Sequence, residues 1–432
     1  MKYIAFLFLF LAAFTLQAQT GIPAYAWYDD DPSVSVFYIG TADDLVGFAN
    51  LVNGADGKSA TNFSGKIIML ADDVDISGYG KDTEFNDGNG WIPIGTSQNS
   101  FAGSFDGDGK VITGLYINDN DIGDVGLFGY AAYGSTIKNL GVVDADVTGN
   151  NYVGVVVGCT EGYITCCYST GRVRGEYFVG GVAGYVYNIT NSYSLCMVRG
   201  VSPVGGVAGN SFNVINCYSA GDVIGYWDLG GVVGVISYGG RITNCAALNS
   251  AITRMGGAPQ SFGRVVGFID DNDVITNNIA FNCITGDDVL DVTDDADGRG
   301  GKSKTFVELQ KANGFPEALT QAPWTYGEGM LPGLGDAVEM PEYLTKDCPV
   351  TNIEELFAPN LNLYPNPFTD ALHITGAEGC ILSIFTESGA IVHIQKVVNP
   401  DEIIRLKHLP AGVFFFRIEK DGKAKTLKGI KN

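Results

Sequence analysis

Residues 179–194, VGGVAGYVYNITNSYS, recur at 204–219 as VGGVAGNSFNVINCYS, with 10 of 16 positions identical at an offset of 25. The pair belongs to a longer series. A glycine following an apolar residue falls at Gly126, Gly154, Gly180, Gly205, Gly230 and Gly263, at intervals of 28, 26, 25, 25 and 33. A second glycine trails each one, at Gly129, Gly158, Gly184, Gly209, Gly234 and Gly267. Next comes Asn139, Asn191, Asn216, Asn244 or Asn277, with Cys166 in that place in one copy. Val147, Val173, Val198, Val223 and Ile252 form a further landmark. Landmarks that keep one phase mark a true repeat and exclude simple glycine-rich low complexity.

Each repeat holds short Val/Ile/Tyr/Thr runs broken by Gly, Asn and Ser, and 124–286 has no 3.6-residue periodicity. Three short strands and three turns need about 20–30 residues, one turn of a parallel β-solenoid. Coils stack about 4.8 Å apart, so each landmark becomes a ladder. The valines are expected inside, and the asparagines at a corner where their amides satisfy turn backbone. Glycine is expected where a Cβ does not fit. A phosphate-cradling loop is a poor reading of Gly180-Gly181-Val182-Ala183-Gly184. It lacks the GxGxxG spacing, no helix follows it, and it recurs from coil to coil.

The flanks read differently. Residues 1–18 have one early lysine and a long apolar run, the form of a secretory signal peptide. Residues 19–123 read as an N-terminal cap and the first coils, with an amphipathic helix over 41–53 that Thr41 caps. Repeat coils fill 124–286, a segment at 287–344 closes the far end, and 345–357 is a linker. The net charge of −22 divides into −24 before residue 358 and +2 over 358–432, which marks a domain boundary. The acidic body repels nucleic acid and anionic membrane. No segment after the first 18 residues is long and apolar enough to predict a membrane span. The tail 358–432 alternates in short strands (ALHIT, CILSIFT, AIVHIQKV, EIIRL, GVFFFRI, AKTLKGI), the pattern of a small antiparallel sandwich.

All three histidines, His373, His393 and His408, lie in the tail, so the body has no imidazole for a triad or a metal site. Cys167, Ser192, Cys217 and Cys245 share one repeat position and read as a small-residue ladder. Cys217 and Cys245 are close enough for a disulfide, but vertically stacked side chains rarely reach the required torsion. Acidic groups at Asp106 and Asp108, at Asp270, Asp271 and Asp273, and at Asp287 and Asp288 offer carboxylate pairs for glycoside cleavage. Each also sits in a turn that favours Asp. Within 291–298 only Asp295-x-Asp297-Gly298 fits a calcium-loop register, with Thr293 in the first ligand place, a weak calcium signal. Arg174 and Arg199 stack one coil apart, as a solvated face or an anionic-glycan contact. Tyr168, Tyr193 and Tyr218 also recur every 25 residues. Outward they form a ladder for sugar rings or a protein partner, and inward they are core. The neighbouring asparagine marks a corner, so strand parity does not distinguish the two.

The motifs W-I-P-I-G, F-x-G-x-F-D-G-x-G-x-x-I-x-x-L, G-L-F-G and V-G-G-V-x-G resemble those of the GLUG-motif repeat proteins over about 35–340. That resemblance implies an all-β, right-handed parallel β-solenoid of the kind found in bacterial surface proteins and adhesins, and it does not imply an enzyme. In the tail, Tyr364-Pro365-Asn366-Pro367 opens the domain, Gly412 precedes the penultimate strand, and Lys428 and Lys431 flank the ending. These resemble the C-terminal sorting domain of the type IX (Por) secretion system of Bacteroidetes. The resemblance implies export by that machinery and a secreted or cell-surface location. Gly429 departs from the usual apolar pair between the lysines. The combined expectation is a β-solenoid followed by a small immunoglobulin-like sandwich, acting as a non-catalytic adhesin for extracellular glycan or protein. The rival expectation is a glycan-degrading β-helix enzyme working through carboxylates.

Overall fold

The computed structural model describes residues 22–256, 261–286, 290–345, 361–386, 390–420 and 423–432, and the expected signal peptide, Asp287 and Asp288 lie outside them. Two compact units divide the chain near residue 347.

The body is a parallel β-solenoid of about ten turns. One wall shows the stacking plainly. Ala183 pairs with Val157 below and Ala208 above, then Val233 and Val266 continue the column in register. The valine landmark behaves as expected: Val147, Val173, Val198, Val223 and Ile252 are stacked neighbours and all fully buried. Each such side chain removed from water contributes about 1.5–3 kcal/mol.

The asparagine landmark is a corner ladder with an unexpected bonding pattern. Asn139, Asn191, Asn216, Asn244 and Asn277 all take left-handed backbone, φ 47–55°, a conformation Asn tolerates better than most residues. Their amides bond mainly to each other and not to turn backbone. Asn216 Nδ2 donates to Asn191 Oδ1 at 3.0 Å, Asn244 to Asn216 at 2.9 Å, and Asn277 to Asn244 at 2.7 Å. An amide carries both donor and acceptor, so identical residues at a 4.8 Å spacing chain together. The glycines of the opening motif answer to crowding. A Cβ on Gly180, Gly205 or Gly230 would lie 2.0–2.1 Å from the carbonyl oxygen three residues on.

A helix, Ala42–Asn53, caps the first coil. Thr41 accepts from the Asp44 amide in a capping box, and Gly54 ends the helix in left-handed conformation. Phe48 packs its ring among Phe63, Phe101, Phe105 and Phe128. The coils run past the expected limit of 286, because the strand Lys302–Lys304 pairs on Ile279–Phe281 as a further turn. The segment after it does not simply plug the end. It runs back along the flank of several coils, placing Trp324 against Tyr193 and Tyr218, and Tyr343 against the backbone of Ala220 and Leu248.

Among its described residues the second unit is a seven-stranded antiparallel sandwich. Asn362–Tyr364, Ala371–Thr375 and Asp401–Arg405 form one sheet. Ile391–Lys396, Ile381–Thr386, Gly412–Lys420 and Lys423–Lys431 form the other. Leu372, Ile374, Leu382, Ile384, Ile404, Phe414 and Phe416 fill the space between them.

Candidate functional site

The tyrosine ladder exists, but it is not a free face. Tyr168, Tyr193 and Tyr218 stack with centroids 4.9 Å apart and planes 2° from parallel. Tyr193 and Tyr218 are buried, and the Tyr218 hydroxyl donates to the Pro332 carbonyl at 2.7 Å. The closing segment covers them, which the local pattern around a corner did not predict. Tyr168, at the uncovered end, is half-buried. Arg174 and Arg199 are exposed and opposite each other in register, as expected. Arg174 shares the Asp146 carboxylate with Arg172, at 3.3 and 2.7 Å, so half of the arginine stack is already paired.

The candidate acids serve turns. Asp106 is buried, a position that raises a carboxyl pKa. Bonds from Asn139, the Asp108 amide and Lys138 outweigh that effect and hold it below the usual range. Asp270, Asp271, Asp273 and Asp297 border one cavity, yet Asp273 accepts from the amides of Gly239, Gly240 and Asp270. Asp297 accepts from the Asn277 amide, and Asp295 from that of Asp297. Among the described residues no three His, Cys, Asp or Glu side chains converge as a metal site. Cys217 and Cys245 are free thiols with no disulfide between them, as the stacking geometry leads one to expect.

A different surface gathers aromatic side chains on the wall formed by 157–165, 183–190 and 208–215. Its outward positions are Cys159, Glu161, Tyr163 and Thr165, then Tyr185, Tyr187, Asn188 and Thr190, then Asn210, Phe212, Asn213 and Ile215. In a body of charge −24, these twelve positions hold one carboxylate and no cation. Tyr187 and Phe212 stack at 5.0 Å, and Tyr152 and Phe178 stack at 4.7 Å beside the wall. Tyr130, opposite Cys159, extends the patch to the coil below. Burial pushes the Tyr130 phenol up to about 12, helped by the neighbouring Cys159 and Glu161. Burial also pushes the Cys159 thiol up to about 12, with Asp124 and Glu161 adding to the effect. It is therefore a buried, protonated thiol and a poor nucleophile. The sequence reading missed this patch because its rings occupy several repeat positions. The signal was the offset of 25 between Tyr187 and Phe212 and of 26 between Tyr152 and Phe178.

In the tail, the motif residues converge. Asn366 Nδ2 donates to the Lys428 carbonyl at 2.9 Å, and Asn366 Oδ1 accepts from the Ile430 amide at 2.9 Å. Pro365 and Pro367 flank this asparagine. Lys431 pairs in register with Gly412, and its ammonium donates to the Thr369 carbonyl and lies 5.7 Å from the Phe368 ring centroid. Tyr364 stacks on His373 at 5.0 Å and donates to Asp401 at 2.8 Å. Gly429 has a local reason, since a Cβ there would lie 2.4 Å from the Phe416 ring.

Residues 362–432 match the secretion system C-terminal sorting domain. The protein therefore carries a type IX sorting tail and is secreted or held at the cell surface. No helix among the described residues is long and apolar enough to cross a membrane. The chain is 31% identical over 178 residues to halomucin of Haloquadratum walsbyi, covering 39% of this chain and 2% of that one. It is 33% identical over 96 residues to a protein of Evansella cellulosilytica provisionally named a Gly-rich membrane protein, covering 19% and 11%. The chain thus spans only a small part of these relatives. A Bacteroides ovatus structure, provisionally described as an immunoglobulin A1 protease, superposes with a TM-score of 0.53 at 24% identity, over 69% of this chain and 92% of that one. This likeness shows a shared fold and nothing further.

Proposed function

We propose that this type IX-exported β-solenoid is a non-catalytic adhesin that binds neutral glycan along the wall carrying Tyr130, Tyr185, Tyr187 and Phe212. The observation that carries the reading is the composition of that wall. It is rich in aromatic rings and amides and, over 157–165, 183–190 and 208–215, nearly free of charge on an otherwise acidic protein. Ring faces suit the apolar faces of sugars, while Asn188, Asn210 and Asn213 offer donors and acceptors to hydroxyls. Each contact is weak, and repetition along a rigid surface multiplies it.

Two measurements on the purified full chain test this. A glycan array reports binding, and a reducing-sugar assay reports cleavage. The expected result is retention of neutral oligosaccharides, no release of reducing ends, and at least a tenfold loss in the Tyr185→Ala/Tyr187→Ala double variant. Steady release of reducing ends, or binding indifferent to that double substitution, defeats the proposal.

A further inference from the structure

Beside the aromatic wall lies a cavity of about 410 Å³, within the size range of small-molecule sites. Residues 92–98 form one side and 119–124 the other, with Asn53 and Asn86 completing it. The cavity and the wall share a margin. The amides of Gly129 and Tyr130 donate to the carbonyls of Ile94 and Gly95 at 2.9 and 3.0 Å, which binds the cavity loop to the wall's lower strand. Asp124 lines the cavity and also acts electrostatically on Tyr130, Tyr152 and Cys159.

The loop is held, and its free groups point to one class of ligand. Asn53 Nδ2 donates to the Pro93 carbonyl at 2.9 Å, and Asn53 Oδ1 accepts from the Gly95 amide at 2.8 Å. Asn53 is therefore structural. Asn86, Ser97, Gln98 and Asp124 make no side-chain hydrogen bond among the described residues. Burial raises the carboxyl pKa of Asp124, as it does for an acid that has lost water without gaining a donor. Among the described residues the lining holds no Lys, Arg or His. A phosphate, sulfate or sugar acid finds no counter-charge here, whereas hydroxyl donors suit an unpaired carboxylate and amides.

We infer that this cavity is the terminal subsite of the binding wall, taking one neutral sugar residue whose hydroxyls bond Asp124, Gln98 and Ser97 while the rest of the glycan lies over Tyr130, Tyr185 and Tyr187. The inference rests on the glycan reading of the wall.

Saturation-transfer NMR on the full chain tests it with glucose, galactose, mannose and N-acetylglucosamine, each alone and as its neutral oligosaccharide, and with glucuronate. At least one neutral monosaccharide should bind weakly, its oligosaccharide more tightly, and glucuronate not at all. Gln98→Ala and Asp124→Ala, both partly solvent-facing, should weaken the monosaccharide at least tenfold. Tyr187→Ala should weaken only the oligosaccharide. Circular dichroism on each variant excludes unfolding. Oligosaccharide binding that ignores both cavity substitutions overturns the subsite and leaves the wall reading standing. Preference for glucuronate overturns the subsite as well. Absence of binding by every oligosaccharide overturns both.

Discussion

Removing one oxygen from Tyr218 separates the two roles the tyrosine ladder was expected to choose between. Tyr218→Phe keeps the ring, with Tyr193 at 4.9 Å and Trp324 at 5.7 Å, and deletes only the hydroxyl that donates to Pro332 at 2.7 Å. Tyr218 is fully buried, so water does not replace the lost bond freely. Leaving the Pro332 carbonyl without its donor costs about 1–3 kcal/mol. At about 2–4 °C per kcal/mol for a sizeable domain, melting should fall by several degrees. Tyr218→Ala also opens a cavity and should cost about 3–5 kcal/mol. The assays are thermal denaturation, amide exchange over 330–333 and oligosaccharide binding. Tyr218→Phe should destabilise, speed exchange in the closing segment, and leave binding unchanged. Weakened binding with an unaltered melting temperature refutes the argument, because it shows that the ring meets ligand and not the closing segment.

Three further outcomes are expected. At Asn216, φ 53°, alanine loses two ladder bonds and the left-handed tolerance, whereas glycine loses only the bonds. Asn216→Ala should therefore cost about 2–4 kcal/mol by denaturant titration, and more than Asn216→Gly. At Asp124 the folded pKa lies above the unfolded one. Its favourable contribution is thus present below the unfolded value and lost as pH rises through the folded value. Asp124→Asn should match wild type in acid and become relatively more stable towards neutral pH, which melting curves across that range will show. Cys159, with its thiol near 12, should react with iodoacetamide at pH 8 about a thousandfold more slowly than a thiol of ordinary pKa, as read by mass spectrometry.

Much of the scaffold is legible in the linear chain because a solenoid repeats its local environment. Valine every 25 residues meets valine one coil away, and asparagine meets asparagine, so period alone implies both ladders. Alternation likewise marks the tail's strands, and its motif residues fall together where Asn366 bonds the last strand. The candidate site was less legible. Tyr130 and Tyr185 fall at one repeat position and Tyr187 and Phe212 at another, neither filled by a ring in every coil, so a search for one aromatic per period finds the other ladder first.

The coil and its ladders follow from the linear chain, since each depends on neighbours a fixed number of residues apart, and the tail follows from its strand alternation and motifs. Which aromatic side chains are covered follows only from long-range packing. Trp324 and Pro332 reach Tyr218 from more than a hundred residues away, a contact no periodicity encodes. The covered ladder is buried while the mixed wall beside Asp124 stays partly exposed, because burial is a property of what packs over a side chain and not of its place in a repeat.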